Sequence, residues 1–281
     1  MKITERQEKI LNTIVKEYID SAWPVSSQLL EKKYDFEISP ATIRIEMQKL
    51  AETGLLCQPH TSAGRVPTDK GYRFYVDNLL EKQLENLEIG DWFGNKIEGV
   101  IKFNQPPEQQ RKGKKRINLL RPPELQRRGK KKINLLRPPE RSDGWRRINI
   151  LRLVTKNLAL ASSALALSYL PEEKILWKEG WEEILREPEV EEKNFISNFT
   201  KLLENFEKNI EDLKINSGIK IYIGRENPFP KAKDFSIICS RCYFPDEREA
   251  VVSLLGPKRM NYDRNIGLIN SLAEALAEAF N

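Results

Sequence analysis

"SPATIRIEMQKLAETGLLCQPHTSAGRVPTDKGYRFYVD", residues 39–77, is the stretch from which the fold is read. Ser39 is a good N-cap, because its hydroxyl can accept from the free amides of a first helical turn. Pro40 suits the first helical position, where no N–H is needed. Ile43, Met47 and Leu50 share a face at i, i+4, i+7, while Thr42, Arg44, Gln48 and Lys49 point elsewhere. Gly54 stands where a C-terminal cap belongs. "LLCQPH" then reads as a short strand, and Ser62, Ala63 and Gly64 allow a turn that approaches a surface closely. Arg65 is presented beside that turn, and Thr68 caps the next helix, "DKGYRFYVDNLL".

Upstream, Thr4-Glu5-Arg6-Gln7 fits a capping box. Ile10, Leu11, Ile14, Val15, Tyr18 and Ile19 form one apolar stripe on a helix that ends before Pro24. "VSSQLLEKKY" gives a second, short helix. Three helices, the third polar and capped by Ser-Pro, followed by a hairpin, predict a winged helix-turn-helix domain over 1–80. The alternative is a small fold serving protein interaction. The predicted DNA contacts are Ser39, Thr42, Arg44, Gln48 and Lys49 on the third helix, with His60 and Arg65 on the wing. Arg44 leads, since Arg to guanine is the commonest base contact. Arg65 suits a minor groove or a phosphate. Residues 1–80 hold 11 cations and 11 anions, so one copy would release few counterions and bind weakly. Useful affinity for double-stranded DNA therefore predicts a homodimer on an inverted-repeat operator.

The chain's net charge of +6 comes from one segment. Residues 106–152 alone carry +12, leaving the other 234 residues at −6. "PPEQQRKGKKRINLLR" (106–121) is repeated as "PPELQRRGKKKINLLR" (122–137), with a decayed third copy after it. The predicted organisation is a short connector at 81–105 and a disordered basic Pro-rich repeat at 106–147, acting as a solvated linker or as a cationic arm on DNA. The C-terminal domain then spans 148–281. "INILRLVTKNLALAS", "EKNFISNFTKLLENFEKNIEDL" and "YDRNIGLINSLAEALAEAF" read as helices. "ALALSYLPEEKILWKEG" reads as two strands around a Pro-Glu-Glu turn, and "IKIYIG", "FSIICSRCYF" and "EAVVSLLGP" as further strands. The fold class is α+β with an antiparallel sheet.

The stretch 39–77 closely resembles the N-terminal domain of the HrcA family of heat-inducible transcription repressors, and "PHTSAGRVPTDKGYR" is specific to that family. "WKEGWEEILREPEV", "IGREN" (223–227) and "LLGPKRMNYDRNI" (255–266) resemble its GAF-like C-terminal domain, whereas the repeat has no counterpart. The family inserts a dimerising region after the wing domain, where this chain has only residues 81–105 and the repeats. The resemblance implies repression of chaperone genes, with the chaperonin GroEL helping the repressor reach its active form. The rival reading is a DNA-binding regulator that answers to a small molecule at the GAF-like domain. A further one is a degraded chain, monomeric and binding DNA without specificity.

Enzymatic chemistry has little material here. The single histidine leaves almost no material for a nucleophile–base arrangement, and no catalytic residue is expected. Cys239-Ser240-Arg241-Cys242 and Cys57-Gln58-Pro59-His60 have zinc-type spacing, yet they fall in different domains, and neither metal nor cofactor is expected. Gly256, Lys258, Arg259 and Tyr262 read as a turn and a surface contact. The longest apolar run, 158–170, is too short to span a bilayer. No membrane association and a cytoplasmic location are expected.

Overall fold

The computed structural model describes residues 3–85, 143–213, 215, 218–244 and 248–278. The N-terminal part opens with α1 (Glu5–Ser21), α2 (Ser27–Lys33) and α3 (Pro40–Glu52). Their caps follow from the sequence. Thr4 and Gln7 form a reciprocal capping box on α1, Ser26 accepts from Leu29 N–H on α2, and Ser39 accepts from Thr42 N–H on α3. Ile10, Leu11, Ile14, Val15, Leu30, Ile43, Met47 and Leu50 are buried together between these helices. A two-stranded antiparallel hairpin follows, β1 (Leu56–Cys57) and β2 (Val66–Pro67), pairing Leu56 with Pro67 and Cys57 with Val66. Thr68 accepts from Gly71 N–H at the start of α4 (Asp69–Glu85).

The C-terminal part is a five-stranded antiparallel sheet with helices on both faces. Its elements are α5 (Asp143–Ser162), β3 (Leu165–Leu170), β4 (Ile175–Glu179), α6 (Trp181–Leu185), α7 (Phe195–Lys208), β5 (Ile219–Ile223), β6 (Phe235–Tyr243), β7 (Glu249–Pro257) and α8 (Tyr262–Glu278). The strand order is β4-β3-β7-β6-β5. Alternation sorts the two faces. Leu165, Leu167, Ile237, Cys239, Val251 and Leu255 pack with Phe199, Leu202 and Phe206 of α7. Ala166, Ile238, Cys242, Val252 and Leu254 pack with α5 and α8, in a core continuous with that of the N-terminal helices.

Two boundaries differ from the sequence reading. The helix expected from 148 begins at Asp143, so the end of the third repeat copy is structured. Its Arg147 is buried, 3.7 Å from Glu173. The third copy has traded Leu-Leu for Ile-Leu, and Ile150 and Leu151 sit in the core, which anchors the turn preceding them. The connector expected from 81 starts as the end of α4. The remainder of the connector and residues 106–142 of the repeat lie outside the described residues.

The paired-cysteine readings meet a geometric obstacle. Residues 239 and 242 are an odd number of positions apart on β6, so their sulfurs occupy opposite faces of the sheet. Neither can join the other in a ligand set or a disulfide. Burial pushes both thiols up to about 12, whereas Cys57 is exposed in β1. Titration with a thiol-reactive disulfide at pH 8 is expected to modify one equivalent in the native protein and all three after denaturation.

Candidate nucleic-acid interface

The outward face of α3 carries Ala41, Arg44, Ile45, Gln48 and Lys49, all exposed, while Ile43, Met47 and Leu50 face the core. Arg65 of the hairpin reaches across to this face, its Nη2 donating to Gln48 Oε1 at 2.8 Å. Helix and hairpin thereby share one surface. Between them and the start of α2 lies a cleft of about 450 Å³ lined by Ser26, Gln28, Arg44, Gln58, Ser62 and Arg65, among others.

The hairpin is held from behind. Arg65 and Val25 exchange both backbone hydrogen bonds, 2.8 and 2.9 Å long, which adds a third short strand to the pair. A Cβ on Gly64 would collide with the Val25 carbonyl. Gly64 is therefore required by the close approach of the chain to itself, not to an outside surface as the sequence suggested. The tip is closed by Ala63 N–H donating to the His60 carbonyl, and by Gln58 Nε2 donating to the carbonyls of Thr61 (2.8 Å) and Ala63 (3.0 Å). The His60 ring is exposed; its residue closes the turn through the backbone.

The predicted contact residues divide by how committed they are. Arg44 is exposed on α3 and lines the cleft. Gln48 bonds Arg65, and its amide also donates to Glu52 at 3.3 Å. The hydroxyls of Ser39 and Thr42 lie 3.0 Å apart at the start of α3. Lys49 is bonded to the largely buried Glu46 at 3.0 Å. That bond, with a second from Gln7, holds the Glu46 carboxyl below its ordinary range. Lys49 is thus drawn toward α1. Gln58, Val25 and Ile45 were missed by sequence reasoning. The Gln58 and Val25 roles depend on loop closure that no periodicity encodes, whereas Ile45 could have been found as the apolar residue on the polar side of α3.

A second set of residues joins this unit to the sheet. Asp69, the first residue of α4, receives Lys258 Nζ at 2.7 Å and the Arg225 backbone N–H at 3.1 Å. A Cβ on Gly224, at φ +55°, would strike that carboxylate. Arg73 donates to both carboxylate oxygens of Glu226 and, at 2.7 Å, to the Ile221 carbonyl. Arg259 donates to Glu189 at 2.6 Å, to Glu187, and to the Ile19 carbonyl of α1 at 2.8 Å. The Tyr72 and Tyr262 rings pack at 5.7 Å, both fully buried. The sequence reading of residues 256–262 holds in part: Lys258 and Arg259 form a turn, whereas Gly256 lies inside β7 and Tyr262 is core. Lys258 and Arg259 do make contacts, but with their own chain. Beside this seam lies a second cleft of about 730 Å³, lined among others by Tyr18, Thr68, Asp69, Tyr72, Lys258 and Arg259.

Comparison with known proteins places the chain. A family model, "HrcA protein C terminal domain", matches residues 123–266, just over half of the sequence. The heat-inducible transcription repressor HrcA of Natranaerobius thermophilus is 30% identical over 338 aligned positions, covering 99% of this chain and 97% of its own length. The chain belongs to the HrcA family. The HrcA repressor of Thermodesulfovibrio yellowstonii is 27% identical over 98% of this chain and 97% of its own length. Both alignments are longer than the 281 residues here, so these relatives carry residues this chain lacks. The family match begins inside the repeat, at 123, rather than after it as the sequence reading held. A crystal structure of a hypothetical protein, solved at 2.2 Å, shares the fold with a TM-score of 0.69 at 22% identity, covering 99% of each chain.

The three family-like motifs meet at the seam: "PTDKGYR" supplies Asp69, Tyr72 and Arg73, "IGREN" supplies Arg225 and Glu226, and "GPKRMNY" supplies Lys258, Arg259 and Tyr262. Arg259→Ala leaves Glu187 and Glu189 without their mostly buried cation, a loss of about 3 kcal/mol. Hydrogen exchange is expected to show amide protection in α4 and the end of α1 falling by about 10²-fold. Arg259→Lys should lie between the two.

Proposed function

We propose that this chain is a heat-inducible transcription repressor that represses chaperone genes by binding DNA directly. Its residues 1–80 act as a winged helix-turn-helix, with α3 in the major groove and the β1–β2 hairpin as the wing. The observation that carries the reading is the Arg65–Gln48 bond, which joins the hairpin to the outward face of α3. Both partners can exchange that bond for bonds to DNA. Arg44 takes a guanine edge, as a guanidinium fork matches O6 and N7. Gln48 takes a base edge, and Ser39 and Thr42, at the helix start, take phosphate. Arg65 and His60 reach the flanking minor groove or backbone, and Lys49 contributes charge more than contact. Family membership supports the target genes and the GAF-like character of the sheet domain.

The near balance of charge in residues 1–80 makes one copy a weak binder, so the repressor works as a homodimer on an inverted repeat. Chaperonin control by GroEL in the cytoplasm follows from the family resemblance. Among the described residues no helix is long and apolar enough to cross a membrane. A second reading, a regulator that senses a small molecule, is favoured by one feature of the 730 Å³ cleft. Tyr72, which lines it, is 1% exposed, and its hydroxyl has no hydrogen-bond partner among the described residues.

The test is anisotropy of a labelled inverted-repeat duplex from upstream of a chaperonin gene, against a scrambled duplex, across a salt series. The intact chain is expected to prefer the inverted repeat by on the order of 10³. A chain lacking 106–142 should keep that preference, and Arg44→Ala should lower operator affinity about 10- to 100-fold without a comparable loss on the scrambled duplex. Equal binding to both duplexes that disappears with the repeat would contradict the proposal. An operator affinity that responds to extract fractions but not to chaperonin would favour the small-molecule reading.

A further inference from the structure

Ile45 stands out on the DNA-facing side of α3. It is 56% exposed, and among the described residues no packing accounts for it. A large β-branched side chain loses rotamer freedom in a helix and gains little there unless it is covered. On a 3.6-residue helix, position 45 lies one turn beyond Ala41, also exposed, so the two make a short apolar strip. Arg44 and Gln48 flank that strip on one side and Lys49 on the other. Hydrogen-bonding groups therefore border an apolar centre.

The major groove offers a matching chemistry. Adenine, guanine and cytosine present donors and acceptors at their edges, and only thymine presents a methyl group. A side chain that can make no hydrogen bond penalises a polar base edge placed against it, because that edge loses its water. The same side chain gains when it covers a methyl. We propose that Ile45 is a specificity-determining residue that reads a thymine C5-methyl within each half-site. It works next to a base pair whose partner is read by Arg44 or Gln48. This assignment rests on the DNA-binding reading above, and adds to it a chemical class of base that the hydrogen-bonding residues leave unspecified.

The test is a cycle in which one methyl is removed from each side. Each thymine of the inverted-repeat duplex is replaced in turn by deoxyuridine, which keeps every hydrogen bond and deletes only the methyl. Affinity is measured by anisotropy for the intact chain, Ile45→Ala and Ile45→Val. At one thymine per half-site the intact chain is expected to lose about three- to fivefold on demethylation, the worth of one buried methyl. Ile45→Ala should bind the normal duplex more weakly, yet be indifferent to demethylation at that position and remain sensitive elsewhere. Ile45→Val should keep part of the discrimination. As Ile45 is exposed, thermal melting of the variants should match that of the parent, which separates this effect from misfolding.

If Ile45→Ala retains the parent's thymine-to-uracil ratio at every position, the assignment is overturned. It is equally overturned if no position discriminates in the intact chain while the inverted repeat is still preferred. Loss of that preference in the intact chain would instead be the failure of the DNA-binding reading.

Discussion

The carboxylate of Asp69 is the point on which the arrangement turns. It sits two residues after β2 and four after Arg65, at the start of α4, and it is held by Lys258 and the Arg225 amide from two different parts of the sheet domain. Gly224 has no side chain, and that absence lets the contact form. The hairpin is thus fixed on one side by Val25 and on the other, through four residues of chain, by the sheet. Arg259 and Arg73 extend the same seam to α1 and along α4. An α3–hairpin surface carried on this mount has a defined direction relative to the C-terminal domain. Two copies reading two half-sites need that property.

The polar character of the seam bears on how it can change. Its contacts are charge-assisted hydrogen bonds and one aromatic pair, between charged side chains only 12–36% exposed and two fully buried rings. Such bonds are geometrically demanding, and removing one partner costs more than the pair itself contributes. A seam of this kind holds one arrangement firmly and yields when a competing partner offers equivalent bonds. The α3–hairpin surface has the opposite design. Its Arg65–Gln48 bond is exposed, so exchanging it for bonds to another partner costs little.

Much of the local structure was legible in the sequence because caps and periodicity are local. Thr4, Ser39 and Thr68 cap as their positions suggested, and α7 forms within the stretch read as a helix. The antiparallel strands were equally readable from β-branching and alternation. The seam was not, since Arg73 and Glu226 are 153 residues apart and neither sits in a periodic pattern that announces a partner. The motif "PTDKGYR" carries the family resemblance in the sequence, while its physical work, docking α4 on the sheet, depends on partners more than 140 residues away. The role of Gly64 was half legible: a close approach was foreseen, but its partner is Val25. Position 143 was misplaced because the basic repeat's composition masks a helix whose stability comes from Ile150 and Leu151 in the distant core.

The measurement that bears most directly on the account is a hydroxyl-radical footprint of the intact chain on the inverted-repeat duplex. Two protected windows on one face of the DNA, centred about 10–10.5 base pairs or a whole multiple of that apart, are the result expected of paired recognition helices. Both windows should vanish with Arg44→Ala at the same protein concentration. Even protection along the duplex, unchanged by Arg44→Ala and abolished by removing residues 106–142, would mean that the basic repeat alone holds the DNA, and would contradict the account.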